Sequence, residues 1–330
     1  MTAVIMCAGE LKGRLSRRRF IERGFAGAVF GTSALAGFSA IQEHLGADQI
    51  IDCHTHFYDP TRPQGVPWPD KTDAFLYRRV LPRDYEVLAK PQGITGTVVV
   101  EASAWVEDNQ WILDLAAKEP FIVGFVGHLT PGRDEFAGQL KRFARNPLFR
   151  GIRIGGNQLK SELDQPKFIA DLKRLAEFDL ELDINGGTDA LPSIAWVGKE
   201  IPALRLVINH VANVRIDGKA PPADWLEGMR RAAMHKNVFC KVSGLVEGSG
   251  AAAGKAPTSG EFYRPVLDAV WSAFGEDRLI YGSNWPVSER FGSYATLQRI
   301  VSDYFRAKGK AAAEKYFWRN ALAVYKWVKR

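Results

Sequence analysis

Two histidines one residue apart, His54 and His56, follow an apolar run in the segment IIDCHTHFYDP, residues 50–60. In an extended strand the side chains of residues i and i+2 point to the same face, so Asp52, His54 and His56 are expected to converge on one side. Imidazoles bind divalent metals, polarise carbonyl groups and transfer protons near neutral pH. The chain has only six histidines. The pair therefore predicts a functional site, the alternative being two hydrogen-bonded histidines at a strand end.

Further residues with useful chemistry stand within or directly after other β-branched runs of the chain. Four of the six histidines lie at such positions, a pattern that random placement would rarely produce. Besides the first pair, the set comprises Glu101, His128, Arg153, Asn185, His210, Lys241, Ser243 and Asn284. Strands that all end at one common site would bring these side chains together.

Each of these residues suggests particular roles. His210, in VINHVANVR, is predicted to be a third metal ligand or a group that polarises a carbonyl, the alternative being a contact that caps a loop. Glu101, in VVVEASAW, suits a metal ligand, a general base or a partner that orients a histidine. Arg153, in GIRIGG, needs an anion beside it when buried, either from the substrate or from Glu101 or Asp183. His128, in GHLTPG, suits either a site or an ordinary loop.

Asn284, in IYGSNWPV, is an unexpected residue at the end of the last run. A hydrolase requires a group that accepts a proton from water, and an amide cannot act as a base at neutral pH. Asn284 can still form hydrogen bonds and is predicted to position a reacting group. The residues predicted to contact the substrate are Arg153, Lys241, Arg78 of the long first loop, and Trp285.

The elements that must position these residues are eight short β-branched runs separated by amphipathic segments. The runs lie near residues 50, 95, 121, 149, 180, 204, 237 and 278, and the segments between them carry apolar residues at spacings of three and four. This alternation predicts an α/β fold, a (β/α)8 TIM-type barrel with its active site where the strands end. The long loop after the first strand is expected either to cover the site or to pack on the rim as a surface excursion.

Composition and charge narrow the range of functions. The chain has 330 residues and a formal net charge of +7, but +4 of that charge falls within the first forty residues. The remainder is too small and too scattered to predict nucleic-acid binding. Three cysteines, Cys7, Cys53 and Cys240, are too few for a disulfide framework.

The first forty residues are predicted to be an export signal, with residues 48–330 forming a single domain. A basic start is followed by a run of small and apolar residues from 24 to 40, and SRRRFIE at 16–22 resembles a twin-arginine signal. This implies the twin-arginine export machinery as a partner and a periplasmic location. The apolar run is short and rich in Gly and Ala, so no stable membrane span is expected. An uncleaved anchor, or a chance basic start on a cytoplasmic protein, are the alternatives.

The chain resembles the amidohydrolase superfamily, and within it the "amidohydrolase 2" group, which contains relatives of 2-pyrone-4,6-dicarboxylate lactonase and of sugar-acid lactonases. The resemblance lies in DCHTHFYDP, GTVVVEAS, FRGIRI, VINHVANV, NVFCKVSGL, IYGSNWPV and KYFWRNALAVYKW, in that order from about residue 50 to the C-terminus. It implies a distorted (β/α)8 barrel that hydrolyses a carbonyl-oxygen or carbonyl-nitrogen bond of a small-molecule substrate, with a lactone of the sugar-acid or pyrone type as the favoured substrate.

The resemblance also implies roles for individual residues of the site. His54 and His56 look like the family's first-strand pair and His210 like its sixth-strand histidine, whereas the fourth-strand and fifth-strand ligands of a two-metal centre are missing. One divalent ion, zinc by preference, held by His54, His56, His210 and Glu101, is therefore expected, or none at all. The family's eighth-strand aspartate aligns with Asn284, which leaves Glu101 or a histidine as the base.

Two other functions stay open on the sequence. One is a zinc-dependent decarboxylase of the same superfamily. The other is an exported binding protein that derives from such an enzyme and has lost catalysis, for which Asn284 is the main support.

Overall fold

A computed structural model describes residues 49–330 of the chain. The predicted export signal lies outside the described residues and stays a prediction. None of the helices within the described range combines the length and the apolar character that crossing a membrane requires.

Eight strands form one parallel sheet whose strand order follows the chain. They are β1 Ile51–Thr55, β2 Gly96–Val100, β3 Ile122–Gly127, β4 Phe149–Gly155, β5 Glu181–Asn185, β6 Arg205–Ile208, β7 Val238–Val242 and β8 Leu279–Tyr281. Every residue of β1, β2, β3, β7 and β8 is buried, because helices cover the outer face and side chains fill the inner one. All eight predicted runs are confirmed as strands.

Helices follow the strands and form the outer layer. They are α1 Pro82–Ala89, α2 Asp108–Lys118, α3 Phe136–Phe143, α4 Gly156–Glu162, α5 Pro166–Glu177, α6 Leu191–Glu200, α7 Ala223–Ala233, α8 Leu245–Gly248, α9 Gly260–Phe274, α10 Tyr294–Ala307, α11 Lys310–Glu314 and α12 Asn320–Tyr325. Their apolar faces pack on the sheet, with residues such as Leu140, Leu172 and Val270 fully buried. The sheet and its helices thus have the TIM-type arrangement that the sequence predicts.

The barrel closes between β1 and the residues after β8 rather than along a full ladder. The backbone N–H of Asn284 donates to the carbonyl of His54 at 2.8 Å, and that of His56 donates to the carbonyl of Trp285 at 2.9 Å. These two bonds hold the histidine pair directly against the segment that follows β8, which is where the sequence places Asn284.

The amino ends of the strands are sealed by the C-terminal segment. The guanidinium of Arg150, at the start of β4, donates to the carbonyl of Tyr325 at 2.8 Å, and that of Arg205, at the start of β6, donates to the carbonyl of Val324 at 2.7 Å. The hydroxyl of Tyr325 reaches Asp183 inside the barrel at 2.9 Å. Access to the interior is therefore from the carboxyl ends of the strands, the end at which barrel enzymes carry their active sites.

Candidate active site

Three buried histidines meet at the carboxyl ends of the strands. The ring centroids of His54 and His56 are 5.0 Å apart, and those of His54 and His210 are 4.4 Å apart. β1 supplies the first pair and the turn after β6 supplies the third ring. The structure thus brings together the three imidazoles that the sequence predicts to share a site, and we call them the histidine cluster.

The turn that carries His210 has an unusual backbone. His210, Val211, Ala212 and Asn213 all have φ between 45° and 56°, in the left-handed region that costs L-residues roughly 1–2 kcal/mol each. Tertiary contacts hold this conformation: Trp225 donates its indole N–H to the carbonyl of Val211 at 2.9 Å, and the Asn213 amide reaches Oδ1 of Asn185, another predicted candidate, at 3.0 Å. Strained backbone that the surroundings enforce is typical of functional sites.

The ring of His54 is held by a buried lysine. Nζ of Lys241 lies 3.1 Å from Nδ1 of His54 and 2.7 Å from Oδ2 of Asp183, and the side chains of Lys241 and Asp183 are fully buried. The Lys241 ammonium, paired with the Asp183 carboxylate, can only donate, so Nδ1 of His54 accepts and Nε2 carries the hydrogen. Burial, and then the Lys241 charge, hold the pKa of His54 well below its usual range. His54 is therefore neutral.

Nε2 of His54 is buried and has no hydrogen-bond partner among the described residues. An unused N–H donor in a buried position is costly unless a ligand satisfies it. It is suited to a carbonyl oxygen, and still better suited to an oxyanion that forms during a reaction.

His56 has the opposite tautomer. Its Nδ1 lies 2.9 Å from the carbonyl of Val100, which can only accept, so Nδ1 carries the hydrogen and Nε2 presents a lone pair. Burial, and then the charge of Arg153, lower the pKa of His56 to about 3, which makes the ring neutral. The two histidines of the pair thus differ in function: His54 offers a donor and His56 an acceptor.

His210 completes the cluster with a hydroxyl partner. Its Nδ1 lies 2.9 Å from Oγ of Ser243, the residue directly after β7, so the predicted candidates after β6 and β7 contact each other. Burial and the Lys241 charge lower the pKa of His210 well below its usual range. Gly244 packs against this ring, because a Cβ placed there would lie 2.8 Å from Cβ of His210.

Glu101 and Arg153 form an ion pair next to the cluster. Nε of Arg153 donates to Oε1 of Glu101 at 2.8 Å, and Nη2 donates to the Glu101 carbonyl at 2.7 Å. Of the partners predicted for Arg153, the structure selects Glu101. His128 lies near the pair. Its backbone N–H donates to Oδ1 of Asn109, and its carbonyl accepts from Nδ2 of the same side chain. Burial lowers the pKa of the His128 ring.

Asp52 does not join the histidine cluster, so the expectation that it shares their face is wrong. The register of β1 against β2 shifts between Asp52 and Thr55, which breaks the strict alternation of faces. Its Oδ2 accepts from the hydroxyls of Tyr85 and Tyr294, at 2.6 and 3.1 Å, and its Oδ1 accepts from the backbone N–H groups of His54 and Ser283. Asp52 thus fixes the backbone at the β1–β8 closure.

Two predicted substrate contacts are also corrected. Lys241 is enclosed between Asp183 and His54, so it sets the tautomer of a histidine instead of reaching a substrate. The ring of Trp285 is 1% exposed and packs against Phe57 and Tyr85, which leaves no free face for a ligand.

The two remaining predicted substrate contacts lie in different settings. Arg78 lies at the rim, 3.3 Å from Glu289, with its side chain 40% exposed. Arg153 retains 14% exposure next to Glu101. A role for Arg78 and Arg153 in substrate binding stays a prediction.

The first loop reaches the site through Trp68, which the sequence reading did not single out. The ring centroid of Trp68 is 5.8 Å from that of His56 and 5.3 Å from that of Tyr58. The loop is closed at its base by two backbone bonds between Tyr58 and Val80. Of the two roles expected for this loop, covering the site fits this contact, and the aromatic residues of the segment were the available signal.

Glu247 is a second residue that the sequence reading missed. Its Oε1 accepts from Nδ2 of Asn284 at 2.7 Å, and the side chain of Asn284 lies next to His56. Oε2 of Glu247 is buried and has no partner among the described residues. Glu247 lies in α8, within a segment rich in Gly and Ser that resembles a surface loop, so the sequence offered no signal for it.

The side chains of the predicted metal site do not form a zinc site in this arrangement. Within residues 49–330, no three His, Cys, Asp or Glu side chains are grouped so as to hold a metal ion. Nε2 of His54 carries a hydrogen, Oε1 of Glu101 is bonded to Arg153, and the cations of Lys241 and Arg153 lie close by. Zinc requires lone pairs from about four ligands and a favourable local charge. The set of His54, His56, His210 and Glu101 therefore fits hydrogen bonding better than metal binding.

A parallel eight-stranded barrel with imidazoles and carboxylates at the carboxyl ends of its strands defines the class of (β/α)8 barrel enzymes. The amidohydrolase family model matches residues 51–327. The chain belongs to the amidohydrolase family and is an enzyme, which confirms the resemblance inferred from its motifs.

Individual relatives are similar over the same region. An L-fucono-1,5-lactonase of Burkholderia ambifaria is 33% identical over 284 residues, covering 84% of this chain and 95% of the relative. The crystal structure of an amidohydrolase from Burkholderia multivorans with bound zinc superposes with a TM-score of 0.73 at 25% identity, covering 84% of this chain and 99% of that one. A putative 2-pyrone-4,6-dicarboxylic acid hydrolase from Pseudomonas putida shares the fold, with a TM-score of 0.64 at 20% identity and coverage of 84% and 97%.

Proposed function

We propose that this enzyme hydrolyses the lactone of a sugar acid. The observation that carries the proposal is the histidine cluster, in which an unpartnered N–H of His54 lies beside the lone pair of His56 at the barrel mouth. A lactone needs a donor on its carbonyl oxygen when water attacks. The relative of 33% identity is an L-fucono-1,5-lactonase, which supports a six-membered sugar-acid lactone as the substrate class.

The proposed reaction uses the groups of this chain in a definite order. The lactone carbonyl accepts the Nε2–H of His54, which polarises the C=O bond and stabilises the oxyanion of the tetrahedral intermediate. Water attacks the carbonyl carbon while a carboxylate takes its proton. The intermediate then collapses, the ring C–O bond breaks, and the ring oxygen takes up the proton to give the open hydroxy acid. The only inputs are lactone and water.

Substrate hydroxyl groups have suitable partners around the cluster. The partly buried guanidinium of Arg153 contacts Glu101 through Nε and Nη2, which leaves Nη1 available to donate to a substrate hydroxyl group. Trp68 of the first loop can lie over the face of a sugar ring, since aromatic rings present an apolar face to its C–H groups. A zinc ion, if one were bound, would supply an electrophile for the carbonyl. In this chain the Nε2–H of His54 fills that role.

The test is acid release from a panel of aldono-1,5-lactones and aldono-1,4-lactones, followed with a pH indicator. We expect turnover above the spontaneous rate for at least one six-membered lactone. Release of carbon dioxide from an aromatic acid, with no lactone turnover, would instead assign the chain to the decarboxylases. No turnover of any lactone would overturn the proposed function.

We also propose that residues 1–40 direct export to the periplasm by the twin-arginine route. The proposal is supported by the basic start, the SRRRFIE segment and the run of small apolar residues that follows. Cell fractionation of the wild type and of a variant with Arg17, Arg18 and Arg19 changed to Lys is the test. We expect the variant to stay in the cytoplasm, and equal distribution of the two proteins would contradict export.

A further inference from the structure

The reaction proposed above needs a base, and the residue after β8 cannot supply one. Asn284 carries a neutral amide, which does not accept a proton from water at neutral pH. A carboxylate elsewhere at the barrel mouth must therefore take this role. The described carboxylates at or next to the carboxyl ends of the strands are those of Asp52, Glu101, Asp183 and Glu247, whereas the buried Glu181 begins β5 at the opposite end of the barrel.

Three of these four carboxylates are occupied by strong donors. Asp52 accepts from two tyrosine hydroxyls and two backbone N–H groups. Asp183 accepts from the Lys241 ammonium and the Tyr325 hydroxyl. Glu101 accepts from the Arg153 guanidinium. A carboxylate oxygen that already accepts from such a donor has fewer lone pairs free to accept from a bound water molecule.

Glu247 is in a different environment. Its partner is the neutral amide of Asn284, which donates to Oε1 at 2.7 Å, and its Oε2 is buried without a partner in the described part of the chain. No cation lies within ion-pair distance of it among residues 49–330. An unpartnered carboxylate oxygen shielded from water is a good acceptor for a single bound water molecule.

The position of Glu247 follows from how α8 begins. Gly244 has φ of 65° and packs against the ring of His210, so the chain turns sharply from β7 into α8 beside the histidine cluster. Asn284 is bound to His54 at the β1–β8 closure, where its backbone N–H donates to the His54 carbonyl. The Glu247 carboxylate is thus joined to the cluster through Asn284, and α8, which carries it, begins directly after the glycine that packs against His210.

We infer that Glu247 is the catalytic base of this enzyme, moved from the end of β8 to the helix after β7, with Asn284 orienting its carboxylate. This inference rests on the proposed lactone hydrolysis. Oε2 takes one proton from the attacking water while the water oxygen forms its bond to the carbonyl carbon. The C=O π electrons move to the oxygen held by His54. Glu247 then returns the proton to the ring oxygen as the C–O bond breaks, so it ends the cycle ionised.

The ionisation of Glu247 supports this role. Burial raises the pKa of Glu247 to about 7, against the opposing effect of the Asn284 hydrogen bond. A base is most effective when its pKa lies near the working pH. The other titratable groups that face Glu247 are Tyr263 of α9, whose pKa is raised to about 12, and His56 beyond Asn284, whose pKa is lowered to about 3. Neither changes charge near pH 7, so an inflection there reports Glu247.

The experiment relocates the carboxylate. Glu247→Gln keeps an oxygen that can accept from Asn284 but cannot take a proton, and Glu247→Gln/Asn284→Asp places a carboxylate at the end of β8 instead. We expect Glu247→Gln to lower kcat by about 10²- to 10⁴-fold with KM little changed. We expect kcat of the double variant to be at least tenfold higher than that of Glu247→Gln, and the inflection of its pH profile to move away from pH 7.

Glu86→Gln is the matched control, since Glu86 is a partly buried glutamate of the outer helix α1 that pairs with Lys90. It should retain wild-type kcat. Melting temperatures of all variants establish that they fold, and a double variant that regains activity shows this independently.

The outcomes separate this inference from the proposed function. Lactone turnover that is equal in wild type and Glu247→Gln would overturn the role of Glu247 and leave the lactonase assignment intact. The same holds if Glu247→Gln loses activity through KM alone, because that pattern indicates a binding role. Absence of lactone turnover in the wild type would overturn the function, and the role of Glu247 would fall with it.

Discussion

Nζ of Lys241 lies 3.1 Å from Nδ1 of His54, inside a barrel where both side chains are fully buried. This contact decides what His54 can do. It forces the ring hydrogen onto Nε2, so the first histidine of the family's H-x-H pair is a donor, whereas His56 presents a lone pair. Two residues that look equivalent in the sequence thus have complementary roles in the site.

The ion pair behind His54 can be tested by stability. Lys241→Met leaves the Asp183 carboxylate buried without its cation, and we expect the free energy of unfolding to fall by about 3–5 kcal/mol. Lys241→Met/Asp183→Asn removes both charges and should recover most of this loss in denaturant unfolding. A double variant as unstable as the single one would show that the pair matters through packing and not through charge.

The donor role of His54 predicts a specific loss of activity. His54→Ala removes the N–H that stabilises the oxyanion, and we expect kcat to fall by about 10²- to 10³-fold with little change in melting temperature. His235→Ala, at a histidine two residues after the end of α7, is the control and should retain kcat. Unchanged lactone turnover in His54→Ala would contradict the assignment.

Gly244 tests the placement of His210. Gly244→Ala puts a Cβ 2.8 Å from that of His210 at a φ of 65°, so we expect both the melting temperature and kcat to fall. Gly254→Ala imposes similar strain, at a φ of 68°, with no atom within 4 Å of the new Cβ. It should lower stability by about 1 kcal/mol and leave kcat unchanged. An equal kcat loss in both variants would show that backbone strain, not the contact with His210, is responsible.

The lowered pKa of His56 predicts a pH-dependent contribution to stability. Because the folded pKa of about 3 lies below the ordinary value of 6.5, the unfolded chain binds a proton first as the pH falls. The contribution is constant above pH 6.5 and is lost between pH 6.5 and 3. Between pH 7 and 5 the wild type should lose about 2 kcal/mol more unfolding free energy than His56→Asn does, at 1.36 kcal/mol per pH unit. Parallel losses in denaturant titrations would contradict a buried neutral ring.

Much of the fold and part of the site could be predicted from the sequence. The β-branched runs identify all eight strands, and because parallel strands end at one edge, the histidines at the ends of β1 and β6 had to meet. The sequence could not show that Lys241 reaches His54, since β7 and β1 are separated by β8 and the contact depends on the barrel radius. It could not show the shift in β1 that removes Asp52 from the site, because period-two alternation assumes an unbroken register.

The role of Glu247 could not be predicted from the sequence, for a different reason. Its part in the site depends on a sharp turn at Gly244 and on the left-handed backbone of Asn284, at φ of 60°, which together bring a residue of the short helix α8 to an amide 37 positions away. Neither conformation is encoded by a hydrophobic pattern. The sequence shows Asn284 where the family has an aspartate, but it does not show that Glu247 is the hydrogen-bond partner of Asn284.

The most direct test of the account is lactone turnover by metal-stripped enzyme. Protein dialysed against a chelator, and shown by elemental analysis to contain no stoichiometric metal, is assayed with L-fucono-1,5-lactone and related six-membered lactones. The histidine cluster acting through hydrogen bonds predicts full kcat, with no gain on adding zinc. Activity that disappears with the metal and returns with zinc would contradict the assignment of His54 as the group that polarises the carbonyl.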